Sequence, residues 1–189
     1  GFGRTGKWFA YQHSTSTPDL IVFAKGVTSG YVPLGGVIIS GPIAATFDER
    51  VFPGGLTYSG HPLACATAVA TIDVMKSEKM IENIASIGEK IIGPGLHAIA
   101  KKHQLVGDVR GQGGFWGLDI VTNRATREPI AAYGGSSPAM NEIVATCKKN
   151  GLMPFNNFNR IHMNPPLNIS QADAQLGMDL LDKSLGEMA

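Results

Sequence analysis

The sequence has 189 residues, 43% of them hydrophobic and only 16% charged, with a net charge of +1. That length fits one large domain or two small ones, and the apolar share excludes intrinsic disorder. Sixteen Lys and Arg against fifteen Asp and Glu, with no basic run, leave no electrostatic footprint for nucleic acid or an anionic membrane surface. Ordinary domains are roughly a quarter charged, so much of this chain's exterior is expected to be covered, by a partner or by further sequence. Two cysteines are too few for a disulfide framework and point to a reducing, cytoplasmic setting.

In chain order, residues 18–24 (PDLIVFA) predict a short strand. A continuous apolar run of this kind fits a strand buried on both faces, as in parallel sheets. Val37-Ile38-Ile39 predicts a second strand, bounded by Gly35-Gly36 and Gly41-Pro42. Residues 26–47 carry no charge and have the length of a membrane span, but the Gly and Pro residues inside them break any continuous helix, so they read as buried loop and strand. From 26 to 72 the only charges are Asp48, Glu49 and Arg50, which marks a core or an interface. Pro62 opens a small-residue helix with Ala64, Ala66, Ala68 and Ala70, suited to close packing on a sheet and enclosing Cys65. Ser77 reads as the cap of a helix bearing Met80, Ile81, Ile84, Ile87, Ile91 and Ile92, and Gly93-Pro94-Gly95 should kink or split it.

Further on, residues 105–121 read as two strands around Gly113-Gly114, followed by a polar loop over 122–136. Ser137-Pro138 starts a helix that Gly151 stops, short strands follow near 152–155 and 160–163, and Ser170-x-x-Asp173 caps a last helix. The texture changes near residue 76, from an uncharged α/β part to a more ordinary α+β part.

Several motifs invite a chemical reading. GFGRTGK (1–7) satisfies G-x-G-x-x-G, but no strand precedes it and Trp8 stands where a P-loop needs Ser or Thr, so a Gly-rich turn is the better reading than a nucleotide site. Lys25 is the only charge between Asp19 and Asp48 and ends a predicted strand. An ammonium so placed either snorkels to an edge or is kept as an amine nucleophile, since burial favours the neutral form. Thr57, in GGLTYSGHP just before a helix start, could serve a phosphate together with backbone N–H groups, or could cap the helix. His61 beside Pro62 reads as structural. The five histidines, at 13, 61, 97, 103 and 162, have no metal-ligand spacing, and no serine-hydrolase elbow is present.

Together, GFGRTGKWFAYQH (1–13), PDLIVFAKGVTSGYVPLGGVIIS (18–40), TYSGHPLACATA (57–68), VRGQGGFWGLD (109–119) and NPPL (164–167) resemble the class III aminotransferases, the ω-aminotransferase group of pyridoxal-phosphate enzymes. The resemblance implies a partial type I PLP-dependent transferase fold of the α/β class. Residues 1–76 would be the C-terminal part of the large cofactor-binding domain and 77–189 the small α+β C-terminal domain. It implies transfer of an amino group from an ω-amino acid or primary amine to a keto acid such as pyruvate or 2-oxoglutarate. Lys25 would then form the Schiff base with pyridoxal 5'-phosphate and shuttle the proton, and Thr57 would bind the cofactor phosphate of the neighbouring subunit in an obligate homodimer with sites at the interface. Many members that handle α-carboxylates have Arg at the position of His162. Arg160 lies two residues earlier, on the same face of a strand and roughly 6–7 Å away. Arg160 is therefore a candidate for a carboxylate or sulfonate, with a surface arginine as the alternative, and His162 shares that position. The family's chain starts upstream of Gly1 and holds there the Asp that pairs with the pyridine nitrogen, so this segment alone is expected to be inactive. A same-fold aminomutase and a non-catalytic dimerisation fragment stay open as alternatives.

Overall fold

The computed structural model describes residues 1–188, which divide into two compact units, Gly1–Ile81 and the chain from Glu82 onward. In the first, β1 (Leu20–Ala24) pairs antiparallel with β2 (Gly35–Ile39), in a register that sets Leu20 against Ile39 and Ala24 against Gly35. Both strands lie where their apolar runs predict them, but the parallel, doubly buried arrangement expected for β1 is not what forms. The pair is antiparallel and its side chains alternate between exposed and half-buried, with Val22 79% exposed. Within residues 1–81 β2 is the only neighbour strand, so nothing in this unit supplies the cover such a run calls for. Within this chain the uncharged stretch after residue 26 forms no core of its own: Tyr31, Val37, Ile38 and Ile39 are all exposed.

A short helix, α1 (Gly41–Ala45), follows β2 and had no clear signal beyond Pro42. The small-residue helix α2 runs over Pro62–Ser77 and buries Ala64, Ala68 and Met75 on one side, while Cys65 is exposed rather than packed. Ser77 is not a cap. It ends α2 and donates its hydroxyl hydrogen bond back to the Val74 carbonyl at 3.2 Å. The break comes two residues later, where Lys79 adopts a left-handed φ of 51°, and α3 (Met80–Ile87) begins.

The second unit is a two-layer α+β structure. Its main sheet has the order β3 (Val106–Gln112), β4 (Phe115–Asn123), β7 (Arg160–Met163), β6 (Phe155–Asn157), all antiparallel, with the two-residue β5 (Glu128–Pro129) beside β4. On one face lie α4 (Gly93–Lys102), α5 (Pro138–Lys149) and α6 (Gln171–Gly186). Leu96, Leu118, Ile120, Met140, Ile161, Leu181 and Leu185 meet there with no accessible surface. Burying a Leu or Ile fully is worth about 1.5–3 kcal/mol each, so this cluster is the unit's main source of stability. Ser137 and Ser170 cap α5 and α6 as the sequence predicts, accepting from the Met140 and Asp173 backbone N–H groups at 3.2 and 3.0 Å. Between α3 and α4 the chain does not break at Gly93-Pro94-Gly95. It widens into a π-turn over Gly88–Ile92 and continues, with Pro94 in the first turn of α4. Among the described residues no helix is long and apolar enough to cross a membrane.

Candidate active site

In the first unit the candidate nucleophile sits at a strained strand end. β1 stops at Ala24, and Lys25 opens a single 3-10 turn, Lys25–Thr28, with a left-handed φ of 54°. Ser29 follows in the same region at φ 52°. Such backbone costs a non-glycine residue roughly 1–2 kcal/mol and persists only where neighbours hold it. The holding contact is visible: Thr28 and Val27 are buried, and the Thr28 hydroxyl donates to the Val32 carbonyl at 2.6 Å. The side chain of Lys25 opens on a cavity of about 540 Å³ shared with Thr28, Val32, Pro33 and Gly35. It makes no ion pair among the described residues. The sequence reading set the amine in a buried, water-poor place; in this chain Lys25 is exposed, because the apolar residues around it are themselves uncovered.

Thr57 lies in an exposed turn, 57–60, and does not cap α2. That position belongs to His61, whose side chain makes no capping bond, and Ser59 is occupied with the Leu56 N–H at 3.3 Å. Helix capping is thus removed as the alternative for Thr57. The first N–H groups of a helix without a side-chain cap stay available to an anion. The opening GFGRTGK forms a tight turn, with Gly3 and Gly6 at φ 66° and 80°. The N–H groups of Gly3, Arg4 and Gly6 already bond the carbonyls of Trp8, Gly1 and Gly3, so they form no phosphate nest. Phe2 instead packs on Trp8, Phe9 and Phe23.

In the second unit, Arg160 and His162 stand together on the sheet face opposite the helices. Asp119 is directly across from Arg160, and Gly117 and Phe155 flank His162. Arg160 Nε donates to Asp119 Oδ1 at 2.8 Å, Arg110 Nη2 donates to Asp119 Oδ2 at 2.7 Å, and Arg110 also pairs with Asp108. Burial pushes the Asp119 carboxyl up, but the bonds from Arg160 and Arg110 outweigh it and hold it below the usual carboxylate range. The His162 ring lies 6.4 and 5.2 Å from Phe115 and Phe155, and its Nε2 has no accessible surface and no partner. Burial, then the Arg160 charge, push the imidazole below its ordinary value against the pull of Asp119, so it is neutral at pH 7. A cavity of about 260 Å³ is lined by Arg110, Phe115, Trp116, Arg160 and His162.

The sequence brought out Arg160 and His162 but missed Asp119, Phe115 and Phe155. The available signal was the lone acid in FWGLDIV, two positions from Gly117 on a strand, which places it on the same face.

The family model for class III aminotransferases matches residues 1–185. The chain belongs to the class III aminotransferases. It is 34% identical over 197 aligned residues to the taurine–pyruvate aminotransferase of Bilophila wadsworthia, covering 97% of this chain and 42% of that protein. It is 35% identical to the putrescine–pyruvate aminotransferase of Pseudomonas aeruginosa, covering all of this chain and 41% of the relative. Among solved structures, the taurine:2-oxoglutarate aminotransferase of Bifidobacterium kashiwanohense, in complex with PLP and glutamate, superposes with a TM-score of 0.91 at 40% identity over 99% of this chain and 42% of that one. The chain thus spans about two-fifths of the length of these relatives, and its fold is the corresponding part of theirs.

Proposed function

We propose that this chain is the C-terminal part of a pyridoxal-phosphate-dependent aminotransferase that moves an amino group from an ω-amino acid or primary amine to a keto acid such as pyruvate or 2-oxoglutarate. One observation carries the reading: Lys25 is presented on strained left-handed backbone at a strand end, beside an open cavity and without an acidic partner among the described residues. An amine that must condense with an aldehyde and later carry a proton needs that accessibility and that fixed direction. The residues present fit the cofactor. Lys25 Nζ offers the condensing amine, and the Thr57 hydroxyl, exposed before the uncapped start of α2, offers a phosphate contact. When bound, pyridoxal phosphate supplies the electron sink for the amine-bearing carbon of the substrate. Lys25 then takes and returns the proton.

Arg160 forms the proposed contact for the substrate's anionic end, with the neutral His162 beside it in the cavity wall. Asp119 uses only the Nε of Arg160, so its two terminal nitrogens stay open to a carboxylate or sulfonate. The names of the relatives support an ω-amine or taurine-like donor. The working unit in this reading is a homodimer in the cytoplasm. Thr57 serves the site of the neighbouring subunit, both cysteines remain free thiols, and the uncovered apolar side chains of residues 20–74 lie inside the assembly.

The test is borohydride reduction of the complete cofactor-loaded protein followed by peptide mass mapping. The reduced cofactor is expected on the peptide holding Lys25; a label on another lysine, or none, refutes the assignment. For Arg160, Arg160→Ala is expected to raise KM for the anionic substrate with little change in kcat, and an unchanged KM removes it from the site.

A further inference from the structure

The GQGGFWG hairpin lines the Arg160–His162 cavity, and its tip is locked to the π-turn, which has no part in the proposed chemistry. Gly88, the first residue of the π-turn, is buried against the Gly113 carbonyl at the tip of the β3–β4 hairpin, and any Cβ there would overlap that backbone. The same carbonyl accepts the indole N–H of Trp116 at 2.8 Å. Gly93, one helical turn on, lies under the indole, where a Cβ would come within 2.8 Å of the ring. The Gly93 carbonyl in turn accepts from His97 Nδ1 at 2.7 Å, and the His97 ring stands edge-on to Trp116 at 6.0 Å and 88°. Trp116 is therefore held on two sides by α4, through Gly93 and His97, and by its own hairpin through the Gly113 carbonyl. π-turns inside helices are rare and cluster at functional places.

Successive side chains of a strand point to opposite faces. With Trp116 fixed toward the helices, Phe115 is forced onto the open face of the sheet. There its ring meets His162 from one side while Phe155 meets it from the other. We propose that Trp116 is a positioning residue: seated on Gly93 and His97 of α4, with the tip of its hairpin packed on Gly88 of the π-turn, it holds Phe115 against His162 and so closes one edge of that imidazole to water.

The groups that set the charge of His162 are named from each neighbouring strand: Arg160 on β7 itself, Asp119 on β4, and Arg110 and Asp108 on β3, while β6 brings Phe155 and Asn157, which do not titrate. The test tracks the imidazole by NMR through a pH titration of the full chain, with the His162 signal assigned by its loss in His162→Gln. Trp116→Phe keeps an aromatic ring and removes the N–H donor; Gly88→Ala forces the π-turn off the hairpin. Both are expected to raise the His162 midpoint toward the ordinary value, by about half a pH unit or more. Phe115→Ala should give at least that shift directly. Ile143→Val, in the core away from the hairpin, should lower Tm and leave the midpoint alone. If Trp116→Phe and Gly88→Ala lower Tm while His162 titrates as before, the clamp is only structural and the proposal fails. It fails equally if Phe115→Ala shifts the midpoint and Trp116→Phe does not. Trp116→Phe is the milder change and decides the matter should Gly88→Ala not fold. None of these outcomes depends on the borohydride experiment at Lys25.

Discussion

At Lys25 the proposed reading asks for two things in one residue: a reactive amine and a backbone that an L-amino acid resists. Truncating the side chain separates them. Lys25→Ala keeps the left-handed penalty of roughly 1–2 kcal/mol, whereas Lys25→Gly removes it and adds roughly 0.5–1 kcal/mol of unfolded-state entropy. Lys25→Gly is therefore expected to be the more stable of the two by about 0.5–1 kcal/mol, read from urea midpoints, and a Lys25→Gly less stable than Lys25→Ala by about that amount would mean the turn is not strained. The sequence revealed Lys25 through its isolation among apolar residues and its place after a strand. It could not reveal the handedness of the turn, which depends on the Thr28–Val32 bond, nor the exposure, which depends on what covers β1 and β2. Asp119 makes a second prediction. Its folded carboxyl titrates below the unfolded value near 3.9, so its contribution is complete above that pH and is lost as pH falls through the folded value. Asp182, held down by bonds from Lys102 and His103, acts in the same direction. Asp119→Asn is expected to cost about 1–2 kcal/mol at pH 7 and to flatten the fall in stability between pH 5 and 2, measured by denaturation at each pH.

Among elements, the three candidate caps differ in the chain that flanks them. Ser137 and Ser170 accept from N–H groups three residues on, and replacing either with Ala is expected to cost about 1 kcal/mol. Ser77→Ala should change stability by less than about 0.5 kcal/mol, because its hydroxyl only bonds back within α2. Thermal melts of the three single variants check the contrast. The same residue type gave two correct readings and one wrong one for a physical reason. At 137 and 170 a turn precedes the serine, whereas at 77 a helix anchored by buried Met75 is still running and the break waits for Lys79. The antiparallel pairing of β1 with β2 was illegible for a related reason. An apolar run reports that a strand will be covered, not by which neighbour or in which direction. The sheet of the second unit was more readable because its alternation and its Gly113-Gly114 turn are local.

For the whole molecule the two units differ in kind. The second encloses its own core, while the first leaves Leu20, Val22, Val37, Val51, Phe52, Leu56, Leu63 and Val69 exposed. Exposed apolar side chains in that number mark an interface and make a chain prone to association. The 189-residue chain by itself should therefore bind a hydrophobic dye and associate with rising concentration. Its backbone amides should be best protected from hydrogen exchange at Leu118, Ile120 and Ile161, and least across 48–61. Catalysis is the sharper expectation. The amine of Lys25 stands in water here, whereas the reaction needs a closed site that excludes it. The relatives devote more than half of their length to residues this chain does not contain. Supplied with pyridoxal phosphate, an ω-amine and pyruvate, the chain alone is expected to give no alanine above the cofactor's own background, whereas the complete protein should give it. Turnover by the isolated chain would mean that Lys25 needs no further cover to react, and would overturn the account of its exposed strands as surfaces awaiting a partner.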